Sequence, residues 1–317
     1  MNATSEKRVW LRAVLRISGS VVILTLLLYF LPIDKLWAGM RRVSPSLAIL
    51  VLLAYMAAHI IGVMKWRLMV NLAGAGLSFA GAARCYFAGL FANLFLPSLV
   101  GGDVVRAGLA LRLGRSKAGV LLGSLLDRML DVVVLTLIAG TSALLLPGTL
   151  DPQGRRVFWT IAAALGIGAG VALAILALLA RRRFSFRMRR RLVRVRQAWR
   201  SMARRPQYVL LAMSLAVVIQ VSFVALIARI GEACGLDVLL RVWLFAYPMA
   251  KLIALLPISQ GGIGVRELAL AALLAPFGAP AVLTVAAAFV WTAVNIAGGL
   301  LAGLASLFLG RSATDEP

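Results

Sequence analysis

Residues 96–106 read Leu96-Pro97-Ser98-Leu99-Val100-Gly101-Gly102-Asp103-Val104-Val105-Arg106, and residues 256–266 read Leu256-Pro257-Ile258-Ser259-Gln260-Gly261-Gly262-Ile263-Gly264-Val265-Arg266. Both stretches fit Leu-Pro-x3-Gly-Gly-x3-Arg, and both lie between strongly apolar runs. A proline, a glycine pair and an arginine make a poor lipid-facing helix. Two such interruptions at matching positions in two halves of a chain mark the central site of a transporter built from repeats.

The surrounding composition is that of an integral membrane protein: 62% of the residues are apolar. Runs near the roughly 18 residues needed to span a bilayer lie at 14–31, 46–64, 79–96, 119–146, 157–180, 208–230 and 281–309, with a shorter run at 243–257. No polar stretch is long enough for a separate soluble domain, so 1–317 reads as one transmembrane domain. Lys7, Arg8, Arg12 and Arg16 precede or open the first run as in a signal peptide. No small-x-small cleavage site follows, and a retained first helix is expected.

The net charge of +23 belongs to a membrane topology and not to nucleic-acid binding. Residues 181–207 carry Arg without Lys or acid, threaded with Phe184, Phe186, Leu192, Val193, Val195 and Trp199. That mixture suits a segment lying among anionic headgroups on the cytoplasmic face. Counting every apolar run as one crossing, from a cytoplasmic N-terminus, would put 181–207 outside and violate the positive-inside rule. Treating 79–113 and 243–275 as re-entrant hairpins, turning at Pro97–Gly102 and Pro257–Gly262, returns most of the 34 basic residues to the cytoplasmic side.

The expected fold is therefore all-α and polytopic, with about six spanning helices and two re-entrant helical hairpins. Repeat one covers 46–146, a linker span and basic interfacial segment cover 157–207, and repeat two covers 208–309. The two repeats have opposite orientation, an inverted-topology repeat whose hairpin tips meet near the midplane. Non-helical backbone at that depth must line a cavity or lie buried in protein. The return arms are expected to begin at Asp103 and Ile263.

The paired motifs, with Asp127-Arg128-x-x-Asp131 on the helix that follows the first, resemble the lysylphosphatidylglycerol synthase transmembrane family of flippase-like domains. The resemblance covers roughly 10–310. It implies movement of lipids such as aminoacylated phosphatidylglycerol between leaflets of a bacterial membrane, with hopanoids and isoprenoid-linked glycans among the lipids of other members; the distribution of basic residues places both termini on the cytoplasmic side. Two-part members carry a soluble aminoacyl-transfer domain after the membrane part. This sequence reads as the stand-alone membrane part, so lysyl transfer is not implied.

A helix start offers free N–H groups to an anion, and guanidinium fits phosphate as a bidentate fork. The expected substrate-binding set is Arg106 and Arg266 with Asp103, Ser98, Ser259, Gln260, Gly101, Gly102, Gly261, Gly262, Glu267 and Lys251, with Pro97 and Pro257 ending the incoming arms. Asp127, Arg128 and Asp131 lie inside an apolar run, where unpaired charge is costly. They read as an ion-pair network with Asp103, Arg106 or Arg112 that fastens the hairpin, as headgroup contacts, or as a proton-coupling pair. Arg266, Glu267, Lys251 and Asn295 suggest a thinner network in repeat two.

Other features carry bland readings. His59, the single histidine, reads as a packed side chain. Cys85 and Cys234 lack metal or redox spacing. The glycines of Gly166-x-Gly168-x-Gly170 and Gly299-x3-Gly303 read as sites of close helix packing. With no nucleophile–base set, no metal motif and no nucleotide-binding motif, an enzyme is not expected, and no cofactor is implied. The expected partners are membrane lipids, most simply anionic ones. A non-catalytic partner of a separate lipid synthase and a small-solute carrier are the alternatives.

Overall fold

Ser44-Pro45 opens a long helix as capping chemistry requires. The Leu47 N–H donates to Ser44 Oγ at 3.3 Å, and Pro45 occupies the first turn, where no N–H is needed. The computed structural model describes residues 31–96, 101–145, 204–255 and 264–311, with isolated positions 25, 29, 152, 156, 160, 163 and 167. The described residues are helical and contain no strand. The helices are α1 (Ile33–Arg41), α2 (Pro45–Leu72), α3 (Phe79–Ala92), α4 (Gly101–Leu113), α5 (Lys117–Leu144), α6 (Pro206–Cys234), α7 (Leu240–Ile253), α8 (Val265–Leu274) and α9 (Ala281–Arg311). The expected spans 14–31 and 157–180 and most of the 181–207 segment fall outside the described residues.

Among the described residues, α2, α6 and α9 are long and apolar enough to cross a membrane. Helix α5 has the same 28 residues as α2 but carries Asp127, Arg128 and Asp131 in its middle. Its opposite face is an apolar stripe at i, i+4 spacing: Leu121, Leu125, Met129, Val133 and Leu137 are all exposed. The 14-residue α3 and α7, the 13-residue α4 and the 10-residue α8 are shorter than a span needs.

Helices α3 and α4 form a hairpin whose two ends meet. The Arg115 N–H donates to Ala75 O at 2.8 Å, closing its base. At its far end the Gly102 N–H donates to Asn93 Oδ1 at 2.8 Å. The first return arm begins at Gly101, two residues before the expected Asp103, because the glycine pair is helical. Gly102 lets α4 pass directly against Gly89 O and Asn93. The second return arm begins at Val265, two residues after the expected Ile263. Gly264 holds φ +84° there, a left-handed conformation outside the helix.

Helices α2 and α6 run antiparallel. Met69, Leu72 and Ala73 near the end of α2 cluster with Ala212 near the start of α6. Just before α2, Arg42 donates to Cys234 O at the end of α6. The packing pairs up when the two units are exchanged. Helix α3 packs on α9 as α7 packs on α5. Helix α2 packs on α5 as α6 packs on α9, and α4 meets α5 as α8 meets α9. The expected close approaches at Gly299 and Gly303 are occupied. An added Cβ there would stand 2.9 Å from Leu94 and 2.6 Å from Phe91 of the first hairpin. Gly166, Gly168 and Gly170 lie outside the described residues.

Where the units meet, aromatic rings fill the centre. Tyr55 stands edge-on to Trp291 at 5.7 Å and beside Phe223 at 5.5 Å, and Trp291 Nε1–H donates to the Tyr247 hydroxyl at 3.0 Å. His59 packs edge-on to Tyr55 and lies 3.2 Å from the Tyr86 hydroxyl. Cys85 and Cys234 are buried free thiols.

Candidate functional site

Asp127 and Asp131 lie one turn apart on the inner face of α5. Lys65 reaches between them from α2, its Nζ 3.1 Å from Asp127 and in contact with Asp131. Hydropathy alone ends the span at Met64, yet α2 continues to Leu72 with Lys65 buried inside it. Lys65 is thus a central member of the charged cluster and no part of a cytoplasmic loop, the reading that 65–78 invites in the sequence. The other oxygen of Asp127 faces Arg106 of α4 at 3.5 Å, and Arg106 also pairs with Asp103 at 3.0 Å. Arg128 completes the chain by pairing with Asp103. The Arg106 guanidinium lies 4.9 Å from the Trp66 ring and 5.2 Å from the Tyr86 ring. The first hairpin is therefore tied by charge to α5, and α5 to α2.

Helices α6 to α9 carry a lighter network. Glu267 Oε2 accepts the Gly264 N–H at 2.7 Å, capping α8. Its other oxygen pairs with Arg266 at 2.9 Å and accepts from Thr292 of α9 at 3.0 Å, and Arg266 donates to Thr292 at 2.7 Å. Lys251 does not join this group: it donates to Gln220 Oε1 of α6 at 2.9 Å. Asn295 donates to Trp291 O of its own helix at 2.6 Å.

The two networks border one cavity of about 220 Å³. Its wall includes the hairpin-tip residues Asn93, Gly102 and Asp103 from one side and Ala254 and Leu255 from the other. Arg106, Arg128, Lys65, Lys251 and Arg266 line it together with Asp103, Asp127 and Asp131. The arginines of the two sequence motifs thus share one chamber.

A family model for the lysylphosphatidylglycerol synthase TM region matches residues 13–303. The chain belongs to that family. No curated protein matches it. Family membership makes it a membrane protein of a lipid-related family. Both motifs, both hairpins and the charged cluster lie within the matched residues.

Of the residues singled out in the sequence, Arg106, Asp103, Gly102, Asp127, Arg128, Asp131, Lys251 and Arg266 line the cavity. Glu267 lies behind Arg266, and Gly101 starts α4 beside Leu96. Pro97, Ser98, Pro257, Ser259, Gln260, Gly261 and Gly262 lie outside the described residues. Arg112 makes none of the ion pairs in the cluster. The free N–H groups expected to receive an anion at the helix starts are answered in part internally, by Asn93 at Gly102 and by Glu267 at Gly264. Lys65, Gln220 and Thr292 were not singled out. For Lys65 a signal existed: no glycine or proline follows Met64 until Gly74, so nothing in the sequence stops the helix there.

Proposed function

We propose that this member of the lysylphosphatidylglycerol synthase TM-region family is a lipid transporter. It moves an anionic or modified phospholipid, or an isoprenoid-linked lipid, between leaflets, and returns it covalently unchanged. The reading rests on one observation: Arg106 and Arg266, placed 160 residues apart by a duplicated motif, line the same cavity at the tips of two short-armed hairpins. At about 1.5 Å per residue, arms of 14 and 13 residues reach roughly 20 Å, short of a hydrocarbon core of about 30 Å. We read them as re-entrant, entering from opposite faces of a bacterial cytoplasmic membrane, in an inverted repeat with both termini cytoplasmic.

The cavity is smaller than the roughly 300–1,000 Å³ of common small-molecule sites. That size suits a headgroup while the acyl chains stay in lipid. The test is headgroup translocation of labelled phosphatidylglycerol in liposomes holding the purified protein. Arg106→Ala and Arg266→Ala are each expected to slow it at least tenfold, and the lipid recovered is expected to be chemically intact. Unchanged rates in both variants discard the reading. A product with altered covalent structure makes the chain an enzyme.

A further inference from the structure

Among the described residues, the Asp127–Asp131 pair is the one place on the cavity wall where two carboxylates stand a single helical turn apart. That is the arrangement a substrate ammonium would need, and it is already filled. Lys65, only 3% exposed, brings its own ammonium to both acids from α2. Lys251 of α7 differs from the other cations of the cavity wall. Arg106, Arg128, Arg266 and Lys65 each pair with a carboxylate, whereas Lys251 makes no ion pair among the described residues. Its Nζ donates to the neutral Gln220 amide and lies 5.0 Å from the Phe223 ring centre and 6.0 Å from that of Tyr247. A cation enclosed by amide and aromatic groups is stabilised when an anion arrives beside it. Arg266 lines the same chamber, with only 17% of its side chain exposed.

We infer that the cavity selects lipid headgroups that carry phosphate and lack an amine: Lys65 stands where a substrate ammonium would sit, and Lys251 anchors the phosphate. The inference rests on the lipid-transport reading of the cavity, but it concerns which headgroup binds and not whether one crosses. An aminoacylated headgroup would bring its ammonium against Lys65 and find both acids of the pair already engaged by that lysine. Phosphatidylglycerol or a lipid phosphate monoester would meet Lys251 without that repulsion.

Binding is measured on the purified full chain with short-chain phosphatidylglycerol, phosphatidic acid and lysyl-phosphatidylglycerol, and with inorganic phosphate as the arm that separates a headgroup from a free anion. The wild-type protein is expected to bind the first two at least tenfold more tightly than the lysyl lipid, and more tightly than inorganic phosphate. Lys251→Met is expected to weaken the two anionic lipids about tenfold. Lys65→Met, which vacates the acid pair, is expected to raise affinity for the lysyl lipid about tenfold and to be thermally stabilised by added alkylammonium. Should Lys65→Met fail to fold, the wild-type preference and Lys251→Met decide alone. Equal wild-type affinity for phosphatidylglycerol and its lysyl form, inorganic phosphate binding as tightly as the lipids, or unchanged anion binding in Lys251→Met overturns the inference. Selective binding without translocation in liposomes would leave the inference standing and remove the transport reading instead.

Discussion

Gly89→Ala is the substitution that most directly probes how the first hairpin is closed. A Cβ at Gly89 would stand 2.6 Å from the Gly102 carbonyl oxygen and 2.9 Å from Arg106 Cβ. Carbon pairs settle at about 3.5–4.0 Å, so α3 and α4 must separate by roughly 0.6–1.1 Å to admit the methyl group. Backbone sets both sides of the contact, and no side-chain rotation relieves it. Forced overpacking of this kind costs about 1–3 kcal/mol. Gly108, on the exposed face of α4 with no atom within 4 Å of its added Cβ, is the matched control. Both substitutions carry a similar helix-propensity gain of about 1 kcal/mol, so their difference isolates the steric cost. Unfolding free energies from a denaturant titration in detergent micelles are expected to place Gly89→Ala about 1–3 kcal/mol below Gly108→Ala. The same displacement would pull Arg106 away from Asp127, already at 3.5 Å. Asp127→Asn is then expected to cost less in the Gly89→Ala background than in the wild type. Equal stability of the two alanine variants would refute the close helix approach on which the hairpin rests.

Asp127→Asn is expected to lower stability by about 3–5 kcal/mol, the cost of breaking a buried pair from one side. Asp131→Asn is expected to cost less, because its side chain is 20% exposed against 2% for Asp127 and meets one cation instead of two. The same titration checks the order, and a reversed order would contradict the geometry. Trp291→Phe removes the buried donor to the Tyr247 hydroxyl and is expected to cost about 1–3 kcal/mol, while Tyr208→Phe, at a half-exposed ring, is expected to change stability by less than about 0.5 kcal/mol. Single cysteines at Ala80 and Lys117 are expected to react with an impermeant thiol reagent from one face of the membrane, and those at Asp237 and Ala281 from the other. The native thiols at Cys85 and Cys234 are buried and add little background. Labelling of Ala80→Cys and Lys117→Cys from different faces would rule out a re-entrant first hairpin.

Breaks in helix at the two motifs were legible because proline and paired glycines interrupt apolar runs, and the pairing of their flanking arms into hairpins was read from the distribution of basic residues and the repetition of the motif. Their exact starts were not legible. A glycine pair reads equally well as a turn or as the thin face of a helix, and only the approach of Gly89 and Asn93 decides for the helix in α4. The sequence offered the charged residues of α5 as an ion-pair cluster with the first hairpin, and the geometry pairs Asp127 with Arg106 and Arg128 with Asp103. Lys65 was missed because a hydropathy window treats a lysine as the end of a span, although the chain carries no helix-stopping residue until Gly74. The short α1 also went unread. Its nine residues follow Leu31-Pro32 within an otherwise unremarkable connection, and its place is set by Gly39 packing against Ala286 and Leu283 of α9. In α6 and α9, Gln220 and Thr292 are neutral residues within apolar helices, where sequence alone gives no reason to prefer them over their neighbours.

Each hairpin leans on the closing helix of the opposite unit, α3 on α9 and α7 on α5. The seat of the first hairpin therefore does not exist until α9 has left the ribosome. Until then Phe91 and Leu94 lack the close seats that Gly303 and Gly299 later give them. Biogenesis must shelter that element through the synthesis of nearly the whole second half. Two separately expressed halves would each emerge with an unseated loop, and would become whole only by trading their final helices.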